Sequence, residues 1–199
     1  MDFKDIEIDQ LKEIVNIVAG NSDTALAKML NKRITMTVPD SFAGSIEKVH
    51  SEMIGNDEIV SAIFLRLNGD LNGAMLVTFT VKDAVNLSKL LGQNATGITD
   101  LREFDKSALS EVGNVLLGTS ANVLADFLQL RVEHSVPDMA TDMQGAIMDS
   151  ILVEIEDDVE HTLALEVGVG VEDEEINGKV YYLFDKASTK TLLERIKDK

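Results

Sequence analysis

A chain that contains one segment twice must build the same local structure twice, and this chain repeats a motif 98 positions apart. The first copy reads Asp9-x-x-x-Glu13-x-x-Asn16-x-x-x-Gly20, the second Ser107-x-x-x-Glu111-x-x-Asn114-x-x-x-Gly118. Identity continues at Ser22/Ser120, Leu26/Leu124, Ala27/Ala125, Leu30/Leu128 and Arg33/Arg131. It ends in Val38-Pro39-Asp40 against Val136-Pro137-Asp138. Twelve of the 32 positions in 9–40 match 107–138, and the chain's two prolines fall at equivalent places. Self-similarity of this kind is an internal duplication. It predicts a single domain over 1–199 made of two repeats, about 9–100 and 105–199.

The repeat predicts matching elements in each half. Residues 9–31 read as a helix with Leu11, Ile14, Val15, Val18, Leu26, Met29 and Leu30 on its apolar face. Asp9 is its expected N-cap, with a kink or break expected at Gly20-Asn21-Ser22. Strands are expected at 33–38, stopped by Pro39, and at 58–67 and 74–80 around the turn Asn68–Gly73. A short helix over 81–92 closes at Gly92, and 93–104 is the seam. The second half predicts a helix over about 105–129 and strands near 131–136, 150–156, 161–171 and 179–184. Its hairpin turn is expected at Asn177-Gly178, and a last helix over about 186–197. The expected class is α/β (α+β): two pseudo-twofold-related repeats share a mainly antiparallel sheet, with two long motif helices on one face.

Composition narrows the function. A formal charge of −17 opposes binding to nucleic-acid phosphates and anionic lipid surfaces. No run of 18 apolar residues suggests a membrane span, and the start lacks a secretory signal, so a cytoplasmic location is expected. With no cysteine, disulfides, thiol catalysis and thiolate metal sites are excluded. His50, His134 and His161 are too far apart in sequence to form a ligand pair, and His134 reads as a structural residue of a strand. The acidic runs Glu156-Asp157-Asp158 and Glu172-Asp173-Glu174-Glu175 read as solvated turns without the spacing of a calcium loop.

On a helix the positions i, i+4, i+7 and i+11 deviate from a common direction by no more than about 40°. Asp9, Glu13, Asn16 and Gly20 therefore share one stripe, as do Ser107, Glu111, Asn114 and Gly118, opposite the apolar face. Polar residues belong on the outer face of any surface helix, so one Glu-x-x-Asn carries no information. Here Glu, Asn and Gly recur in both copies while exposed neighbours differ (Gln10/Ala108, Lys12/Ser110, Lys28/Asp126). Glutamate can pair with a cation; asparagine cannot ionise but carries donor and acceptor ends that suit it to orienting a water. The stripe holds no nucleophile beside a base. What remains is recognition of a charged partner plus water positioning, a minimal site that fits phosphoryl transfer.

The doubled [Asp/Ser]-x-x-x-Glu-x-x-Asn pattern, with Val-Pro-Asp after each helix and strand, resembles the CheC/CheX/FliY family of CheY-phosphate phosphatases of prokaryotic chemotaxis. The resemblance covers essentially the whole chain, and the two intact motifs match its CheC-like members. It implies that Asn16 and Asn114 orient a water against the aspartyl phosphate of a CheY-like regulator, that Glu13 and Glu111 pair with a regulator lysine, and that Asp9 and Ser107 fill the leading position. It implies no cofactor of its own, with Mg²⁺ supplied by the regulator. It also implies binding of the deamidase CheD through the second half, where Asp149, before the expected strand 151–155, is the candidate. The duplication makes a monomer the expected state. The rival reading is a non-catalytic adaptor that binds CheD or flagellar-switch proteins and sequesters CheY-phosphate.

Overall fold

The computed structural model describes residues 5–39, 43–45, 58–92, 103–155 and 163–197. In chain order these form α1 (Asp5–Leu30), β1 (Ile34–Thr37), β2 (Ala43–Ser45), β3 (Ile59–Gly69), β4 (Gly73–Thr80), α2 (Val81–Leu90), α3 (Glu103–Leu128), β5 (Val132–His134), β6 (Asp138–Met143), α4 (Gln144–Ile155), β7 (Leu163–Val171), β8 (Ile176–Phe184) and α5 (Lys186–Lys197).

The two long helices end alike. Asn31 and Gln129 take left-handed backbone, at φ 51° and 54°. The amides of Lys32 and Leu130 then reach back to the carbonyls of Ala27 and Ala125 at 3.3 and 2.9 Å. These are six-to-one closures that satisfy carbonyls a helix end leaves open. The expected break at Gly20–Ser22 does not occur. Asn21, Ser22 and Thr24 bond back to the carbonyls of Ile17, Val18 and Gly20, and α1 runs on through Gly20. Nor is Asp9 an N-cap, because α1 is already helical at Asp5.

Among the described residues all strand pairings are antiparallel, and the path through the sheet is β1-β7-β8-β4-β3-β5. Short β2 continues the β1 edge along β7, and β6 continues the β5 edge along β3. The order reads the same from either edge, as the duplication demands, but the halves interleave. β1 pairs with β7 and β5 with β3, each strand adding to the other half's hairpin. Central strand β4 and residues 180–184 of β8 are buried on both faces. Met75, Val77, Phe79, Val180, Tyr182 and Phe184 meet the core under α1 and α3. Leu76, Tyr181 and Leu183 meet Ile147, Met148, Ile151 and Leu152 of α4 on the other face. Fully burying each such Leu, Ile or Phe is worth about 1.5–3 kcal/mol, which fixes the helices to their faces.

Two further sequence expectations need correction. Residues 150–155 are helical, not a strand. The apolar run Ile151–Ile155 is short and β-branched, but with Ile147 and Met148 its buried positions follow the helical spacing 147, 148, 151, 152. The β7–β8 turn is Glu172–Glu175, with Asp173 and Glu175 at positive φ, while Asn177 and Gly178 lie inside β8 opposite Gly170 and Val169. Gly178 is needed for a close approach, since a Cβ there would lie 2.6 Å from the Phe79 ring and 2.8 Å from the Thr78 carbonyl. The acidic run does form this turn, where Glu172 and Glu174 pair with Arg33 and Lys32. Strands β2 and β6 carry no clear alternation and were not expected. His50, His161, the run 156–158 and most of the seam at 93–104 lie outside the described residues.

Candidate functional site

Packing of α1 against α3 sets up the site. Leu11, Ile14, Val15 and Val18 of α1, and Leu109, Val112, Leu116 and Leu117 of α3, are buried in one cluster. The helices meet at Ser22 and Ser120, equivalent residues of the two copies, whose hydroxyls lie 2.8 Å apart and fully buried. Each hydroxyl is also within donating distance of a carbonyl of its own helix, Ser22 of Val18 O at 2.9 Å and Ser120 of Leu116 O at 2.8 Å. The Tyr182 hydroxyl joins Ser120 at 3.3 Å, and burial pushes its pKa up to about 12 despite that hydrogen bond. In the second copy, α3 also comes close to the sheet at Gly113. A Cβ there would meet Ile63 Cγ2 at 2.2 Å.

With the apolar faces spent, the stripes face out. Asp9, Glu13 and Asn16 are exposed on α1, and Ser107, Glu111 and Asn114 on α3. Asn16 and Asn114 each precede the serine contact by six residues, about 9 Å of helix. No hydrogen bond or ion pair ties Glu13, Asn16, Glu111 or Asn114 to another of the described residues. Each stripe is thus a solvated carboxylate one turn before an uncommitted carboxamide. It can offer a cation partner and a water ligand at fixed separation, and neither stripe sets a nucleophile beside a histidine or lysine base.

The glycines that end the stripes differ. Gly20 is exposed with nothing within 4 Å of its would-be Cβ. Gly118 is buried: the same point lies 3.5 Å from His134 Cε1 and Nε2 and 3.9 Å from Asn114 Oδ1. Of the two, the stripe ends in open space only in the first copy. Sequence reasoning placed His134 in a strand but could not place it beside the second stripe. The signal was its position in the strand that returns beneath α3. Asp149 stands on α4, one turn before exposed Val153, on the sheet face opposite the motif helices.

Among the described residues no three His, Asp or Glu side chains gather as a metal site, and no helix is long and apolar enough to cross a membrane.

The CheC-like family model matches residues 6–42 and 104–139, which contain the two stripes. The chain is 35% identical over 170 residues to the CheY-P phosphatase CheC of Bacillus subtilis, covering 84% of this chain and 81% of that protein. In structure it resembles FliY of Thermotoga maritima, with a TM-score of 0.78, 21% identity, and 100% and 99% of the two chains covered. It also resembles a chain of the CheX-CheY-BeF3-Mg+2 complex from Borrelia burgdorferi, with a TM-score of 0.56, 16% identity, and 86% and 97% covered.

Proposed function

The chain belongs to the CheC-like family, and from that premise we propose that it is a phosphatase that hydrolyses the aspartyl phosphate of CheY-like response regulators in chemotaxis. The observation that carries this reading is the placement of Asn16 and Asn114: exposed, untied to described neighbours, and one turn beyond an exposed glutamate on each of two packed helices.

Each stripe docks the phosphorylation pocket of a regulator. Glu13 or Glu111 pairs with a lysine there and fixes the register, while Asp9 or Ser107 borders the contact. The Asn carboxamide accepts one hydrogen of a water and aims its lone pair at phosphorus, opposite the aspartyl oxygen. The water oxygen bonds to phosphorus as the aspartyl P–O bond breaks, the carboxylate leaves with the electron pair, and the proton shed by the water passes to a phosphoryl oxygen, giving inorganic phosphate. Positioning supplies the rate, because the water is held in line instead of being found by diffusion. Mg²⁺ supplied by the regulator would neutralise charge on the transferred group; two carboxylates and a carboxamide on the first stripe, and one of each on the second, are too few ligands to hold it alone.

We assign CheD to the other face of the sheet, through Asp149 and Val153 of α4, where contact leaves both stripes open. The chain acts as one cytoplasmic unit of two interleaved repeats and as a monomer, since one chain already presents two sites.

The test is multiple turnover. Catalytic amounts of the chain should release phosphate from excess phosphorylated regulator, and Asn16→Ala combined with Asn114→Ala should abolish that release while leaving circular dichroism unchanged. Full activity in the double variant would remove the water-positioning role. Protection of the phosphate in proportion to added chain would favour a sequestering adaptor.

A further inference from the structure

The two stripes share their sequence motif but not their surroundings. In the first copy the position beyond Asn16 is open: Gly20 is exposed and faces nothing within 4 Å. In the second copy the imidazole of His134 lies over Gly118, with its Cε1–Nε2 edge 3.5 Å from where a Cβ would stand. Asn114 Oδ1 lies 3.9 Å from the same point, so imidazole and carboxamide border one notch. The residue equivalent to His134 by the 98-position offset is Met36, whose side chain packs on the core.

The ring is held in one orientation. His134 Nδ1 lies 3.0 Å from the carbonyl oxygen of Ser135. A carbonyl only accepts, so Nδ1 carries the hydrogen and Nε2 is left as an acceptor in the neutral ring. Nε2 has no hydrogen-bond partner among the described residues, and none of their buried side-chain nitrogens or oxygens lacks one. Nε2 is therefore at the surface, at the edge of the notch beside Asn114.

We propose that His134 is a docking residue of the second site alone: it walls the notch beyond Asn114 and offers Nε2 to a donor on the docked regulator. The first site, an open ridge with an apolar residue at the matching position, binds the same partner without this contact. This rests on the phosphatase reading of the stripes and goes beyond it by making the two sites unequal, with a named cause.

The experiment isolates each site within the full chain. Asn16→Ala leaves only the second site, and Asn114→Ala only the first. In each background His134→Ala and His134→Gln are compared for phosphate release from a phosphorylated CheY-like regulator. In the second-site background His134→Ala should raise KM about fivefold, the size of one lost hydrogen bond, with kcat little changed. His134→Gln, which keeps a polar acceptor, should recover most of the loss. In the first-site background neither variant should act. Equal effects in both backgrounds, no effect in the second-site background, or no recovery with Gln would overturn the proposal. A readout without turnover separates its failure from that of the phosphatase reading. In ¹⁵N spectra of the free chain, His134→Ala should shift the side-chain amide signals of Asn114 and leave those of Asn16 in place. Loss of that selectivity sinks the placement of His134, whereas loss of activity effects from both Asn variants sinks the phosphatase site.

Discussion

Substitution of Ser120 by alanine strands a buried phenol. Ser120 Oγ touches Ser22 Oγ at 2.8 Å, Leu116 O at 2.8 Å and Tyr182 OH at 3.3 Å. In Ser120→Ala, Ser22 keeps the Val18 carbonyl, but Tyr182 OH loses its partner among the described residues. Leaving such a group unsatisfied costs about 1–3 kcal/mol. Tyr182→Phe alone removes a hydrogen bond without stranding Ser120, which keeps Leu116 and Ser22, so its loss should be only about 0.5–1.5 kcal/mol. The double variant strands nothing and should be less destabilised than the sum of the two. Urea unfolding of the four proteins measures this cycle; additivity within about 0.5 kcal/mol would refute the coupling. The same phenol sets a pH dependence. Its pKa is raised from 10.0 to about 12 on folding, so the unfolded chain loses the proton first. The stabilisation is complete below about pH 10 and falls away as the pH rises to about 12, by a few kcal/mol at most. Tyr182→Phe should abolish that part of the alkaline loss, and an unchanged alkaline profile would refute the burial argument.

Gly113→Ala should destabilise by about 1–3 kcal/mol in urea unfolding, because the new methyl overlaps Ile63 in a packed core. Gly20→Ala, on an open helix face, should instead stabilise by up to about 1 kcal/mol while slowing phosphate release from the first site. Glu13→Gln with Glu111→Gln should raise KM for the phosphorylated regulator and flatten its salt dependence, since the docking contact loses its charge. Asp149→Lys should weaken CheD binding in a pull-down or titration and leave phosphate release unchanged.

Sequence periodicity made the stripes legible because a helix's faces are set by local spacing. Leu11, Val15 and Val18 had to face inward, so Glu13 and Asn16 had to face out, and the same holds for Leu109 and Leu116 against Glu111 and Asn114. The run 74–80 likewise marked a strand, and the structure shows it buried on both faces. Other segments were decided by partners distant in the chain. Ile151–Ile155 would suit a strand, but Ile147 and Met148 turn it into a helix face packed over Leu76 and Tyr181. Asn177-Gly178 has the composition of a turn, yet Phe79 presses against Gly178 in the neighbouring strand and makes it part of the ladder.

The sequence alone determined that two equivalent helices would each expose a carboxylate and a carboxamide, since 3.6-residue periodicity needs no knowledge of the rest of the chain. Tertiary structure decided that β1 and β5 add to the other half's hairpin, that Ser22 meets Ser120, and that His134 closes one notch while Gly20 leaves the other open. Strand partners are chosen by long-range closure of the sheet, so repeats with one motif can acquire different surroundings.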